Sequence, residues 1–126
     1  MPVRGGGRVV VGVHDQRRAT EFWTSLVGFA LHADEPYDDT ERWIEIRTPD
    51  GLILVLALDL EDRYRHEIHP RVPNANPFFY ADDVEQTYRD LTERGVIFAE
   101  KPSEQPWGWW SMFWDTEGNR FALQQS

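Results

Sequence analysis

Apolar and polar residues follow two periodicities along this chain, and they alternate in the same order twice. From Arg8 to His14, Val9, Val11 and Val13 fall on one face of a strand, with Arg8, Val10, Gly12 and His14 on the other. Asp15 then suits a helix N-cap. Ala19, Phe22, Trp23 and Leu26 follow the i, i+3, i+4, i+7 spacing of a helix that Gly28 ends. Phe29 to Ala33 predicts a second strand, Asp34 to Glu41 an acidic loop, and Arg42 to Leu56 a hairpin turned at Pro49-Asp50-Gly51. The order then returns. Phe78 to Ala81 predicts a strand, and Asp82 or Asp83 caps a helix with Glu85 or Gln86 placed for a capping box. Val84, Tyr88 and Leu91 line its buried side, Gly95 stops it, and Val96 to Phe98 predicts a strand. The stretch Pro106 to Gln124 closes the chain as a Trp-rich hairpin turned at Asp115-Thr116-Glu117-Gly118.

The two passes share one offset. Gly51 and Gly118 stand 67 positions apart, as do Trp43 and Trp110, Asp15 and Asp82, and Gly28 and Gly95. Such self-similarity indicates an internal repeat. The sequence therefore predicts an α+β fold of two tandem βαβββ units forming a curved mixed sheet, with helices on the convex face. All 126 residues make one domain. Unit 1 covers about residues 8–58, a charged, proline-bearing linker about 59–75, and unit 2 about 76–125. The Gly-rich lead-in before Arg8 reads as mobile.

Strand alternation separates two faces. Ile44, Ile46, Phe113, Phe121 and Leu123 share the face that packs on helices. The opposite face carries Arg8, His14, Trp43, Glu45, Phe78, Tyr80, Trp110, Met112, Trp114, Ala122 and Gln124. It is too aromatic for open solvent and too polar for a plain core, which points to the wall of a ligand cavity. The alternative is that these aromatic rings pack on each other or on a second subunit.

Composition narrows the function. Thirteen basic against 22 acidic residues give a net charge of −9, a poor match to nucleic acid, whose phosphates need a basic face. That acidity serves solubility and also attracts cations. No apolar run is long enough for a membrane span, and Met1 to Gly7 has no signal-peptide apolar core. With no cysteine, the expected address is cytoplasmic.

The ordered motifs Asp15…Phe22-Trp23…Leu26-Val27-Gly28-Phe29 and Asp82-Asp83-Val84…Leu91…Arg94-Gly95-Val96…Pro106-Trp107-Gly108…Asp115-Thr116-Glu117-Gly118-Asn119-Arg120-Phe121-Ala122-Leu123 resemble the vicinal oxygen chelate superfamily. This is the glyoxalase, bleomycin-resistance and extradiol dioxygenase group, and the resemblance runs from Arg8 to Gln124. It implies paired units in a curved sheet, commonly as a homodimer. Its enzymes hold a divalent metal with His and Glu from four strand positions. Here those positions fall at about Arg8, Val55, Asn76 and Ala122. Ala and Val have no lone pair to donate, and Arg repels a cation. The expectation is no metal, no cofactor, and a reading that leans away from an enzyme.

His66 and His69 stand three apart in the linker, but two His alone make a weak site, and the segment reads as a solvated loop. The candidate ligand-binding set is His14, Trp43, Glu45, Asn76, Phe78, Tyr80, Trp107, Trp110, Met112 and Trp114, with no catalytic residue. The leading reading is a metal-free cup that sequesters an aromatic or cationic small molecule, as the bleomycin-type resistance members do. Two others stand beside it. One is an enzyme using an atypical site, with His14 and Glu45 as base and orienting acid. The other is an interaction module whose aromatic face is a protein interface.

Overall fold

The repeated alternation folds into two copies of one β-α-β-β-β unit. The computed structural model describes residues 2–67 and 72–126. Unit 1 contains β1 (Arg8–Val13), α1 (Gln16–Glu21), β2 (Ala30–Pro36), β3 (Arg42–Arg47) and β4 (Ile53–Leu58). Unit 2 contains β5 (Phe79–Ala81), α2 (Val84–Glu93), β6 (Ile97–Gln105), β7 (Gly108–Trp114) and β8 (Arg120–Gln125). The strands form two four-stranded sheets, ordered β1-β4-β3-β2 and β5-β8-β7-β6. In each, the first and last strands of the unit pair parallel and the remainder antiparallel.

The helix caps form as the sequence predicts. Asp15 Oδ1 accepts from Arg18 N–H, and Asp83 Oδ1 from Gln86 N–H. The capping box does not form. Gln86 donates to Asp90 and accepts from Arg89, so its side chain runs down the helix instead of back to the cap. After Glu21 the first helix widens into a π-turn over Phe22–Leu26, with Val27 N–H bonded to the Phe22 carbonyl.

Two strands differ in extent from the sequence reading. β2 starts at Ala30 and runs to Pro36, so Asp34 lies in a strand and not in the predicted loop. β6 runs nine residues, well past the predicted Val96 to Phe98. Both are edge strands, where charge and proline on the unpaired side are tolerated, so their composition imitates loop. Each also carries a bulge, one between Leu31 and Ala33 and one between Phe98 and Glu100. The bulged residues His32 and Ala99 are again 67 positions apart.

Between β4 and β5 the predicted linker is packed at both ends. Buried Asp59 accepts from the backbone N–H groups of Arg63 and Tyr64, and Asn74 and Ala75 are also buried. His66 is exposed, while Ile68, His69, Pro70 and Arg71 lie outside the described residues.

A single main core spans both units. Val11, Val13, Ile44, Ile46, Leu54 and Leu56 join Phe79, Phe113, Phe121 and Leu123, as the face assignment requires. Trp23 is fully buried at its centre. Its ring stacks on Phe29 at 5.7 Å and meets Phe79 and Phe121 of unit 2 at 5.3 and 5.2 Å. Truncating such a ring to Ala costs about 3–5 kcal/mol in a core.

The units are tied at the second hairpin turn. Glu117 is buried, and its Oε1 accepts from the backbone N–H groups of His14 and Asp15 at 2.9 and 2.8 Å. Arg18 closes on the same carboxylate at 2.7 and 3.0 Å. Glu117 thereby serves donors that the start of α1 leaves unpaired. Asp115 Oδ1 accepts from the N–H groups of Glu117 and Asn119, and Asn119 Nδ2 donates to the Gly12 carbonyl. Arg65 donates to the carbonyls of Glu117 and Gly118. Gly12 has no room for a side chain, since a Cβ there would fall 2.6 Å from Asp59 Oδ2.

Burial pushes the Glu117 carboxyl up, but Arg18, Thr116 and the Asp15 N–H outweigh it and hold the group below its usual range. Burial raises the Asp115 carboxyl above its ordinary value despite the N–H groups it accepts from. The two have opposite linkage. With its folded value lowered, Glu117 contributes fully above the ordinary glutamate value and loses that contribution as pH falls through the folded value. Asp115 regains part of its burial cost as pH falls through its raised value. Glu117→Gln is expected to lower stability at pH 7 by about 1–3 kcal/mol in urea unfolding and to flatten the acid limb. Parent-like stability with a parent-like acid limb would show that Glu117 does not tie the units.

Candidate functional site

The faces turned away from the helices supply two walls, one from each sheet. On the first, β1 carries Arg8 and β3 carries Trp43 and Glu45. Glu45 is only 5% exposed, rare for a carboxylate without partners. Its Oε2 accepts from Arg8 Nε at 3.1 Å and from Trp43 Nε1 at 2.9 Å, and His32 Nε2 lies 3.8 Å from Oε1. The hydrogen bond from Arg8, helped by Trp43 and opposed by burial, holds the Glu45 carboxyl below its usual range. Trp43 is 41% exposed and packs against Tyr37 at 6.0 Å.

On the second wall Trp110, Met112 and Ala122 form an apolar cluster separate from the main core. The β7/β8 register sets Met112 against Ala122 and Trp110 against Gln124. Trp107, in the β6–β7 turn, is 53% exposed and meets the Trp110 ring edge-on at 5.3 Å. At the other end Trp114 lies under the Arg120 guanidinium, 5.6 Å from the ring centre.

The structure thus brings Trp43 and Glu45 together on one sheet, and Trp107, Trp110 and Met112 on the other, with Trp114 beside them under Arg120. Trp43 and Trp110 do not pair with each other; each packs on a ring of its own unit. Asn76 is exposed just ahead of β5. Phe78 and Tyr80 lie elsewhere, lining a cleft against the start of α2. His14 also departs from expectation. It lies past the end of β1, with Nε2 2.6 Å from Asp62 Oδ1 and Arg65 bonded to the same carboxylate. No base and orienting acid pair forms between His14 and Glu45, because each side chain is held by other partners. His32, which strand alternation missed, is turned toward Glu45 at the β2 bulge. A bulge inserts one residue and shifts the parity of the strand; only the shared offset with Ala99 could have marked it.

This pairing of β-α-β-β-β units can be set against known proteins. Residues 6–123 match the family described as Glyoxalase/Bleomycin resistance protein/Dioxygenase superfamily. The chain belongs to this superfamily. It is 32% identical over 119 residues to YetH, an uncharacterized protein of Bacillus subtilis (strain 168), covering 94% of this chain and 96% of that one. A superfamily member from Sphaerobacter thermophilus DSM 20745 superposes with a TM-score of 0.82 at 26% identity, covering 98% of both chains. TnmS3, described as an antibiotic binding protein from Streptomyces sp. CB03234, superposes with a TM-score of 0.78 at 30% identity, over 99% of this chain and 98% of that one.

The metal-ligand positions expected from the resemblance are Arg8, Val55, Asn76 and Ala122. Arg8 brings a guanidinium to the nearest carboxylate, Glu45, and Val55 is the ladder partner of that same residue. Among the described residues no group of three or more His, Cys, Asp or Glu is placed to hold a metal ion. Calorimetry with Zn²⁺, Ni²⁺, Mn²⁺ and Fe²⁺ is expected to show no stoichiometric site tighter than about micromolar, or roughly 8 kcal/mol. One tight equivalent per chain, lost on Glu45→Gln or His32→Ala, would overturn that assignment.

Proposed function

We propose that this superfamily member binds and sequesters a planar aromatic small molecule at its Trp-lined face, without a metal and without transforming it. The observation that carries this reading is the exposed Trp107 ring set edge-on against Trp110, over a buried floor of Trp110, Met112 and Ala122 that is independent of the folding core. A floor of that kind does not hold the two units together, and apolar surface with a few fixed polar groups is what ligand sites are built from. Each aromatic contact contributes about 0.5–2 kcal/mol. The 30% identity with TnmS3 supports binding over catalysis.

The geometry also refines the ligand. Glu45 already neutralises Arg8, so it serves less as a bare counter-ion than as a fixed acceptor next to a fixed donor. Recognition rests chiefly on stacking, with charge a secondary contribution. The four sheet edges β1, β2, β5 and β6 are unpaired within their sheets, and edges of this kind are commonly covered by association. A homodimer in the cytoplasm is part of the same reading. No described helix is long and apolar enough to cross a membrane.

Proflavine, a planar cation, and anthraquinone-2-sulfonate, a planar anion, are both expected to quench Trp emission saturably. Trp43→Ala and Trp107→Ala should each weaken binding by about 1–3 kcal/mol, and Glu45→Gln should change the cation-to-anion preference by less than about tenfold. Parent-like binding of both dyes by both indole variants would show that this face is not the site. Light scattering should give the mass of two chains, and a monomer at micromolar concentration would contradict the dimer.

A further inference from the structure

The pseudo-twofold relating the units is broken at their junction, and the break leaves a cleft. On one side Glu117 closes the second hairpin turn onto the start of α1. Its counterpart 67 positions earlier is Asp50, which turns back into its own hairpin and accepts from the Thr48 hydroxyl. The residue matching Arg18 is Glu85, so the ion pair that ties one side is replaced by like charges on the other. The first donors of α2 are satisfied elsewhere: Val84 N–H by Gln125 and Gln86 N–H by Asp83. Gly12, which admits Asp59 and Asn119 at close range, is matched by the buried ring of Phe79. The contacts that tie the second hairpin turn to α1 thus have no counterpart in these residues.

What remains is a cleft of about 1010 Å³, in the size range of small-molecule sites. Its apolar lining includes Phe29, Leu52, Phe79, Leu91 and Leu123. Its rim carries the carboxylates of Asp50, Asp82 and Asp83, and no Lys or Arg is among the described residues that line it. An apolar floor under an all-acidic rim is complementary to one kind of molecule, an apolar chain ending in a positive charge. We propose that this cleft, on the helix-covered side and separate from the Trp-lined face, is a second ligand site for a small amphiphilic cation. The chain of the ligand lies on Phe79 and Leu91, and its ammonium or guanidinium group sits between the first hairpin turn and the start of α2.

The test uses decyltrimethylammonium and decyl sulfate, which share a tail and differ in charge, both below their micelle concentrations. In ¹⁵N-labelled protein the cation is expected to shift the amides of Gln86, Thr87 and Leu91 saturably, and the anion to leave them unmoved. Asp82→Asn, at an exposed position, should weaken the cation by about fivefold. Thr87→Trp, which fills the cleft from the helix, should abolish those shifts, and Trp107→Ala should leave them unchanged. Should Thr87→Trp not fold, the Asp82→Asn titration and the map of shifted amides decide alone. Shifts confined to Trp107 and Trp110, equal binding of the sulfate, or no saturable shift at Gln86, Thr87 and Leu91 would each overturn the proposal.

Discussion

A buried carboxylate between two half-domains governs how this molecule is put together. Glu117 is one of the most deeply buried side chains in the structure, and an unpaired charge there would cost several kcal/mol. It is accommodated because the start of α1 offers free N–H groups and Arg18 reaches over them. The stabilisation is conditional on position. Moving the hairpin turn by a residue's width would leave the donors at His14 and Asp15 and the carboxylate unpaired at once. Apolar packing around Trp23 brings the units together with little directionality; the polar tie selects one arrangement among those the core would tolerate. The orientation of both sheets, and so of both Trp-bearing walls, depends on it.

The wall of the first sheet carries a closed set of polar contacts. Arg8 places its guanidinium against the Glu45 carboxylate. Glu45 accepts from both Arg8 and Trp43, which fixes its orientation. Such a surface offers a fixed pattern of donors and acceptors beside flat rings.

Much of the architecture is legible in the chain because it follows from local chemistry. Two helix caps, the positive-φ glycines Gly51 and Gly118 and the strand alternation around Ile44 and Phe113 depend on near neighbours, and all appear in the structure. The role of Glu117 does not depend on near neighbours. Its partners lie about a hundred positions away, and a glutamate in a turn looks like a solvated residue until the other unit is in place. The edges of β2 and β6 were hidden by composition, since an edge strand need not look apolar. Strand parity puts His14 on the cavity face, but β1 ends at Val13 and gives way to the cap of α1. Periodicity puts Glu45 and Arg8 on the same face, but it gives faces and not partners, and their strands are separated by β4.

The two bulges give the repeat one further property. In each edge strand an inserted residue, His32 in one unit and Ala99 in the other, is exempt from the alternation that binds its neighbours to the core or to the ladder, and β6 shifts register once more between Glu100 and Ser103. Both inserted residues are outside the core cluster, so a substitution at either place leaves the buried set intact. The same backbone device holds an imidazole near Glu45 in one unit and a methyl group in the other. In a repeated unit, such exempt positions let the two surfaces differ without disturbing the interior.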